Sequence, residues 1–196
     1  MSPSLKDAMP DPFVLADMES AANRIAAAIL TGETTGVFGD YDVDGSCGAA
    51  ILKLYFNALD APLEVYLPDR LLEGYGPTIE AFRALKDRGA SLIVTVDCGA
   101  AAHQAIGEAA AEGLDVVVLD HHQMEGPAPA GAWATVNPNR ADDASGLTLL
   151  SAAGVVFMTI VAVNRALRAR GYFASRREPD LKSFLGSHGA WTGFAI

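Results

Sequence analysis

Three short stretches cluster side chains able to bind a metal or move a proton. GDYDVDG (Gly39–Gly45) carries Asp40, Asp42 and Asp44; VDCG (Val96–Gly99) carries Asp97; LDHHQ (Leu119–Gln123) carries Asp120, His121 and His122. The last stands out because the chain has only four histidines and two of them are adjacent, beside a carboxylate. Taken singly, each stretch has a plain reading. DYDVDG suits a turn or a helix cap, Asp97 suits the start of a loop, and DHH suits a capping aspartate with two surface histidines. Taken together they are a set of oxygen ligands with one or two imidazoles. That set suits Mn²⁺ or Mg²⁺ better than structural zinc, which draws on cysteine; Cys47 and Cys98 lack the close spacing of such a site. Aspartates two apart on a turn can hold different ions, and a carboxylate from a neighbouring strand can bridge them. Two ions roughly 3.5–4 Å apart clamp both oxygens of an in-line attack on phosphorus.

The elements around these stretches decide whether they meet. Helical spacing covers Met18–Leu30, Gly45–Leu59, Thr78–Gly89, Ala100–Gly113 and a long segment, Leu147–Gly171; strand-like runs cover Thr35–Asp40, Leu63–Pro68, Ser91–Asp97, Leu114–Asp120 and Trp133–Asn137. The third strand is apolar nearly throughout, as when both faces are covered. Alternation of strand and helix predicts an α/β fold, a doubly wound, mostly parallel sheet with helices on both faces. Such sheets bind ligands beyond the carboxyl ends of their strands. All three acidic stretches fall there, so the topology gathers them on one edge. Apolar strands seldom end in unpaired buried charge, because desolvating a carboxylate is costly unless a cation or donors compensate.

Composition bounds the rest. Fourteen basic against 24 acidic side chains leave a net charge of −10 over 196 residues, which argues against a general nucleic-acid coat but not against an enzyme that meets phosphate through cations. The N-terminal residues lack a basic-then-apolar leader pattern, and no stretch reads as a membrane span. A cytoplasmic protein with buried free thiols is the expectation. Residues 1–20 read as a loosely ordered arm, and residues 21–185 as one domain.

GDYDVDGSCGAAIL, VTVDCGA, VLDHHQ and VNPNR, in this order and spacing, closely resemble the DHH phosphoesterase superfamily. PDRLLEGYG (Pro68–Gly76) and LSAAGVVFMTIVAV (Leu150–Val163) resemble the branch of RecJ-type single-strand-specific exonucleases. The resemblance runs from about Phe13 to Leu185, and together these motifs are highly specific. It implies hydrolysis of single-stranded DNA or short oligonucleotides from the 5′ end with two Mn²⁺ or Mg²⁺ ions. It also implies site roles. Asp42 ligates one ion and Asp44 the other, Asp97 bridges them, and His121 is a ligand. Asp40 is a further ligand or a partner of one. Asp120 orients its neighbours and His122 acts on the scissile phosphate. Arg70 and the loop with Gly74 and Tyr75 belong to the substrate side, and Asn137 and Arg140 face the nucleic-acid path.

Two departures from the family pattern stand out. The second, substrate-binding domain of such enzymes is absent from the chain, and GSHGAWTGFAI (residues 186–196) follows EPDLKSFL where a strand leading to another metal-binding aspartate is expected. The expectation is therefore a truncated domain of weak or no activity alone, from a shifted frame or early stop, that self-associates through uncovered apolar surface. Two other functions stay open: a phosphodiesterase for short oligonucleotides or cyclic dinucleotides, and a non-catalytic binding module.

Overall fold

The computed structural model describes residues 9–186. Five strands, β1 (Thr35–Gly39), β2 (Leu63–Tyr66), β3 (Leu92–Val96), β4 (Asp115–Leu119) and β5 (Ala134–Val136), form one sheet in the order β2-β1-β3-β4-β5. Every neighbouring pair is parallel. This is the expected α/β class. β1 and β3 are buried at all five positions, as the near-continuous apolar runs required.

Successive strand residues point to opposite faces. Val37, Val94, Val96, Val117 and Leu119 join a core with helices α1 (Met18–Thr31), α2 (Val43–Ala58) and α6 (Ala152–Ala169). Phe38, Ile93, Val116 and Val118 join a second core with α4 (Ile79–Asp87) and α5 (His103–Ala111). Two short helices, α3 (Arg70–Glu73) and α7 (Ser183–Gly186), complete the described residues.

Several expectations shift. α2 begins at Val43 rather than Gly45, because the Asp42 carboxylate accepts the Gly45 amide and caps it. α6 begins at Ala152, five residues later than its apolar run suggested, since Ser151 caps it through the Gly154 amide. α3 lies inside what read as a loop; Asp69 caps Leu71, and the Glu73 carboxylate accepts the Tyr66 hydroxyl at 2.6 Å. Part of the segment expected as a loose arm is packed: Pro12 and Leu15 are buried, and the Ala16 amide donates to Asp143. The apolar positions there outweigh the Pro and Asp content that suggested an open chain. α6 is long and apolar enough to span a bilayer, contrary to the first impression of the sequence. It is 78% buried within the protein, however, so its apolarity serves the core. Of the atypical tail, residues 186–196, all but Gly186 lie outside the described residues.

The start of α2 presses on the end of β1. A Cβ at Gly45 would lie 2.6 Å from the Asp40 carbonyl oxygen and 2.7 Å from its nitrogen, so only glycine fits. Gly45→Ala is expected to lower stability by about 1–3 kcal/mol, the usual range for overpacking. Urea unfolding measures this, and an unchanged midpoint would show that α2 can move away without loss.

Candidate metal centre

The chain passes from β1 outward to β2 and then returns across β1 to β3, so the sheet order reverses between β1 and β3. Crevices of doubly wound sheets open at such a point. Asp40 follows β1, Asp97 follows β3 and Asp120 follows β4. Each prolongs the ladder by one bond: the Asp40 amide donates to Val96, Asp97 to Leu119 and Asp120 to Val136. Three carboxylates thus leave adjacent strands in register. Asp97 adopts a left-handed backbone, φ 63°, which re-aims its side chain at the turn into Cys98. Asp and Asn tolerate that region better than most residues, and such strain concentrates at functional sites.

One carboxylate oxygen each from Asp40, Asp42 and Asp97 lie within 4.8 Å of one another. Asp97, His121 and His122 form a second group of the same kind, so Asp97 belongs to both. Asp40 and Asp97 are only 3% and 1% exposed, yet Oδ1 of each makes no directed hydrogen bond. His121 Nε2 does approach Asp97 Oδ1, at 3.2 Å. Buried carboxylate oxygens without donors are unfavourable, and a hard cation is the partner that would compensate them. The donor set fits Mn²⁺ or Mg²⁺.

The electrostatics agree. Burial pushes the Asp97 carboxyl up to about 6; His121 opposes the shift, and Asp42 and Asp44 add to it. Burial also raises Asp40. Asp42 goes the other way: burial is outweighed by the Gly45 amide, Asp97 and the Asp44 amide, leaving it below the ordinary range. His121 is raised, chiefly by Asp97.

Asp44 is placed differently from Asp42. Its oxygens accept the Ala152 and Ala153 amides at 2.7 and 2.9 Å, and Oδ2 lies 3.6 Å from His121 Nε2. Asp120 is spent on positioning. Its Oδ1 accepts the His121 and His122 amides and faces His122 Nδ1 at 2.7 Å, while Oδ2 accepts the Ala100 amide. His122 therefore turns its other nitrogen away from Asp120, and it lines a cleft of about 450 Å³ with Tyr75 and the Gly99–His103 turn. The Tyr75 ring meets His122 edge-on at 6.2 Å and is 62% exposed. Arg70 lies over the Tyr41 ring at 4.8 Å, beside the Asp40–Asp42 turn. Gly74 has φ 79°, which lets the chain turn from α3 to Tyr75.

Two residues expected on a nucleic-acid path sit elsewhere. Asn137 is fully buried; its Nδ2 donates to the His122 carbonyl and its Oδ1 accepts the Asn139 amide. Asn139, which the sequence reading passed over, donates to the His121 carbonyl. The two asparagines of VNPNR thus hold the carbonyls of both histidines, and their alternation in that motif was the available signal. The Arg140 guanidinium is 9% exposed and engages Asp17, Asp142 and the Thr135 carbonyl, so it braces β5. Asn137 is out of solvent, and the Arg140 guanidinium is committed to these three partners rather than turned to an open path.

The raised Asp97 carboxyl has a consequence for stability. Its unfolded value is about 4. Ionisation is harder in the folded state, so metal-free protein loses stability as pH rises from about 4 through about 6 and regains none above. Asp97→Asn removes that charge and suits the left-handed backbone. In chelator at pH 8 it is expected to be about 1–3 kcal/mol more stable than the unaltered chain, with the difference shrinking at pH 4. Urea titrations at the two pH values check this; a less stable variant at pH 8 would contradict it.

Residues 34–181 match the family model described as the DHH family, N-terminal domain. The chain is 41% identical to the single-stranded-DNA-specific exonuclease RecJ of Bacillus subtilis over 147 residues, 75% of this chain and 19% of that protein. It is 34% identical to RecJ of Escherichia coli over 174 residues, 87% of this chain and 30% of that one. Among solved structures, exonuclease RecJ bound to manganese matches with a TM-score of 0.67 at 30% identity, over 91% of this chain and 45% of the other. RecJ of Thermus thermophilus in complex with Mn²⁺ matches with a TM-score of 0.64 at 28% identity, over 84% and 22%. This chain spans between 19% and 31% of the length of the curated relatives it matches. With the aspartate-rich turn after β1, Asp97 after β3 and the DHH turn after β4 on one sheet edge, the chain belongs to the DHH family.

Proposed function

We propose that this domain hydrolyses phosphodiester bonds of single-stranded DNA from the 5′ end, using two ions of Mn²⁺ or Mg²⁺. The carrying observation is the pair of buried carboxylates at adjacent strand ends, Asp40 and Asp97, whose Oδ1 atoms make no directed hydrogen bond and which, with Asp42, bring one oxygen each within 4.8 Å of one another. The names of its relatives support the substrate, and the manganese-bound relatives support the metal. Asp40, Asp42 and Asp97 would hold one ion, and Asp97 and His121, with Asp44 beside them, would hold the other. Bound ions of this kind activate water and neutralise charge on phosphate oxygens.

The chain's own groups do the rest. Asp120 accepts from His122 Nδ1, so the other ring nitrogen faces the cleft where the phosphate would lie and donates to it when the ring is protonated. Tyr75 offers an exposed ring on which a base stacks, a contact that tolerates any sequence. Arg70 supplies the cation on that side. Asn137 and Asn139 act through the histidines, and Arg140 through β5. Val43 at the start of α2, Leu71 and Leu72 in α3, and Leu149 before α6 are 79, 92, 84 and 89% exposed around this edge. Positioning of the strand supplies much of the rate in such reactions, so turnover by the isolated domain, which offers Tyr75 and Arg70 for this, is slow. The same apolar side chains support self-association. The free thiols of Cys47 and Cys98 support action in the cytoplasm.

Calorimetric titration with Mn²⁺, followed by hydrolysis of a labelled, 5′-phosphorylated single strand, tests this reading. Binding with slow release of mononucleotides is expected, and Asp97→Ala is expected to lose at least 100-fold in Mn²⁺ affinity, since one carboxylate serves both ions. Unchanged affinity in that variant removes the site as drawn. Binding without turnover would indicate a non-catalytic module, and turnover of dinucleotides alone a narrower phosphodiesterase.

A further inference from the structure

We propose that the N-terminus of α6, Leu150 to Ala153, is the positioning element for the second ion's ligands. The inference rests on the two-ion reading above. The segment lies in LSAAG, which the proposed chemistry otherwise leaves without a task. It grips both ligands that Asp97 does not supply. The Leu150 carbonyl faces His121 Nδ1 at 3.0 Å. A carbonyl can only accept, so Nδ1 carries the proton and Nε2 keeps its lone pair for a metal once the ring is neutral. That Nε2 lies 3.2 Å from Asp97 Oδ1, the buried oxygen without a directed hydrogen bond. Two residues further on, the Ala152 amide donates to Asp44 Oδ2 and the Ala153 amide to Asp44 Oδ1. Each carboxylate oxygen keeps a further lone pair, and Oδ2 lies 3.6 Å from His121 Nε2. Asp44 is thus both the cap of α6 and a ligand held in its working orientation. α2 and α6 pack on one sheet face, so this grip also locks the two helix starts together.

The first group is held elsewhere: the Gly45 amide at the start of α2 fixes Asp42. Asp40 and Asp42 come from the turn after β1 and make no hydrogen bond to α6 among the described residues. The two ions therefore differ in what they depend on: the first on the β1 turn, the second on the start of α6.

The discriminating variant is Ala152→Pro. Proline is favoured at the first position of a helix, and Ser151 has the extended backbone, φ −73° and ψ 165°, that a following proline requires. The substitution removes the amide that holds Asp44 Oδ2 while keeping the helix. Ser151→Ala is the control. It removes the hydroxyl that caps Gly154 and leaves both Asp44 contacts in place.

Mn²⁺ is titrated into each full chain, with free ion followed by electron paramagnetic resonance and folding by circular dichroism. The unaltered chain is expected to bind in two steps. Ala152→Pro should leave the first step within about twofold and weaken the second about tenfold or more, the usual effect of losing a group that orients a ligand. Ser151→Ala should lower Tm by about 2–4 °C with both steps within twofold. Equal second steps in Ala152→Pro and the unaltered chain overturn the inference, as does a single step in the unaltered chain. Equal weakening by Ser151→Ala overturns it too, since that would be mere loosening of the helix end. If Ala152→Pro does not fold, amide resonances of the unaltered chain decide. Those of Ala152 and Ala153 should move with the second equivalent of Mg²⁺, and movement with the first alone, or none, overturns the inference. Absence of any Mn²⁺ binding would instead remove the metal reading itself.

Discussion

Two carboxylates held almost out of water, side by side at the ends of β1 and β3, set the terms for the rest of this molecule. Asp40 and Asp97 are as buried as the valines before them, and one oxygen of each has no donor. Desolvation alone would make such a pair expel charge, which is why Asp97 ionises only near 6. The pair is sustainable because the sheet beneath it is packed on both faces and its strands are in register to their last residue. A site of this kind is a store of unfavourable electrostatics that a cation discharges.

Around that pair, other polar groups are satisfied by the protein itself, and the contrast is informative. Asp120 accepts four hydrogen-bond contacts, Asp44 caps a helix, and Asn137 and Asn139 hold the two histidine carbonyls. Asp120 and the two asparagines therefore orient what lies next to them, whereas Asp44 is fixed by its two amide donors and keeps a lone pair on each oxygen. Carboxylates of identical type therefore divide into holders and held according to the donors within reach. The two adjacent histidines divide likewise: His121 is locked by α6 and turned to Asp97, His122 by Asp120 and turned to the cleft.

The two faces of the sheet contribute unequally. The side with α1, α2 and α6 supplies the Asp42 turn and the grip on Asp44 and His121. The side with α4 and α5 supplies the wall of the cleft beside His122. Polar chemistry and exposed apolar side chains occur at the same carboxyl edge, where Leu71, Leu72 and Leu149 stand open.

Much of this was legible in the residues alone. The alternation of apolar runs with helical spacing determined a parallel, doubly covered sheet, because side-chain period and burial are local properties. The positions of Asp40, Asp97 and the DHH turn at strand ends then determined that they would converge, since a parallel sheet puts all its carboxyl ends on one edge. Local sequence could not say which polar groups would find partners. Asn137 and Arg140 looked available for a substrate, yet one is buried under His122 and the other engages its chain neighbour Asp142 and Asp17, a residue near it only in space. Asp44 looked equivalent to Asp42 two residues away, yet α6, more than a hundred positions along the chain, takes both its oxygens. Residue type sets what a side chain can bind, but hydrogen-bond satisfaction depends on donors brought up by distant segments, and only the tertiary structure decides those.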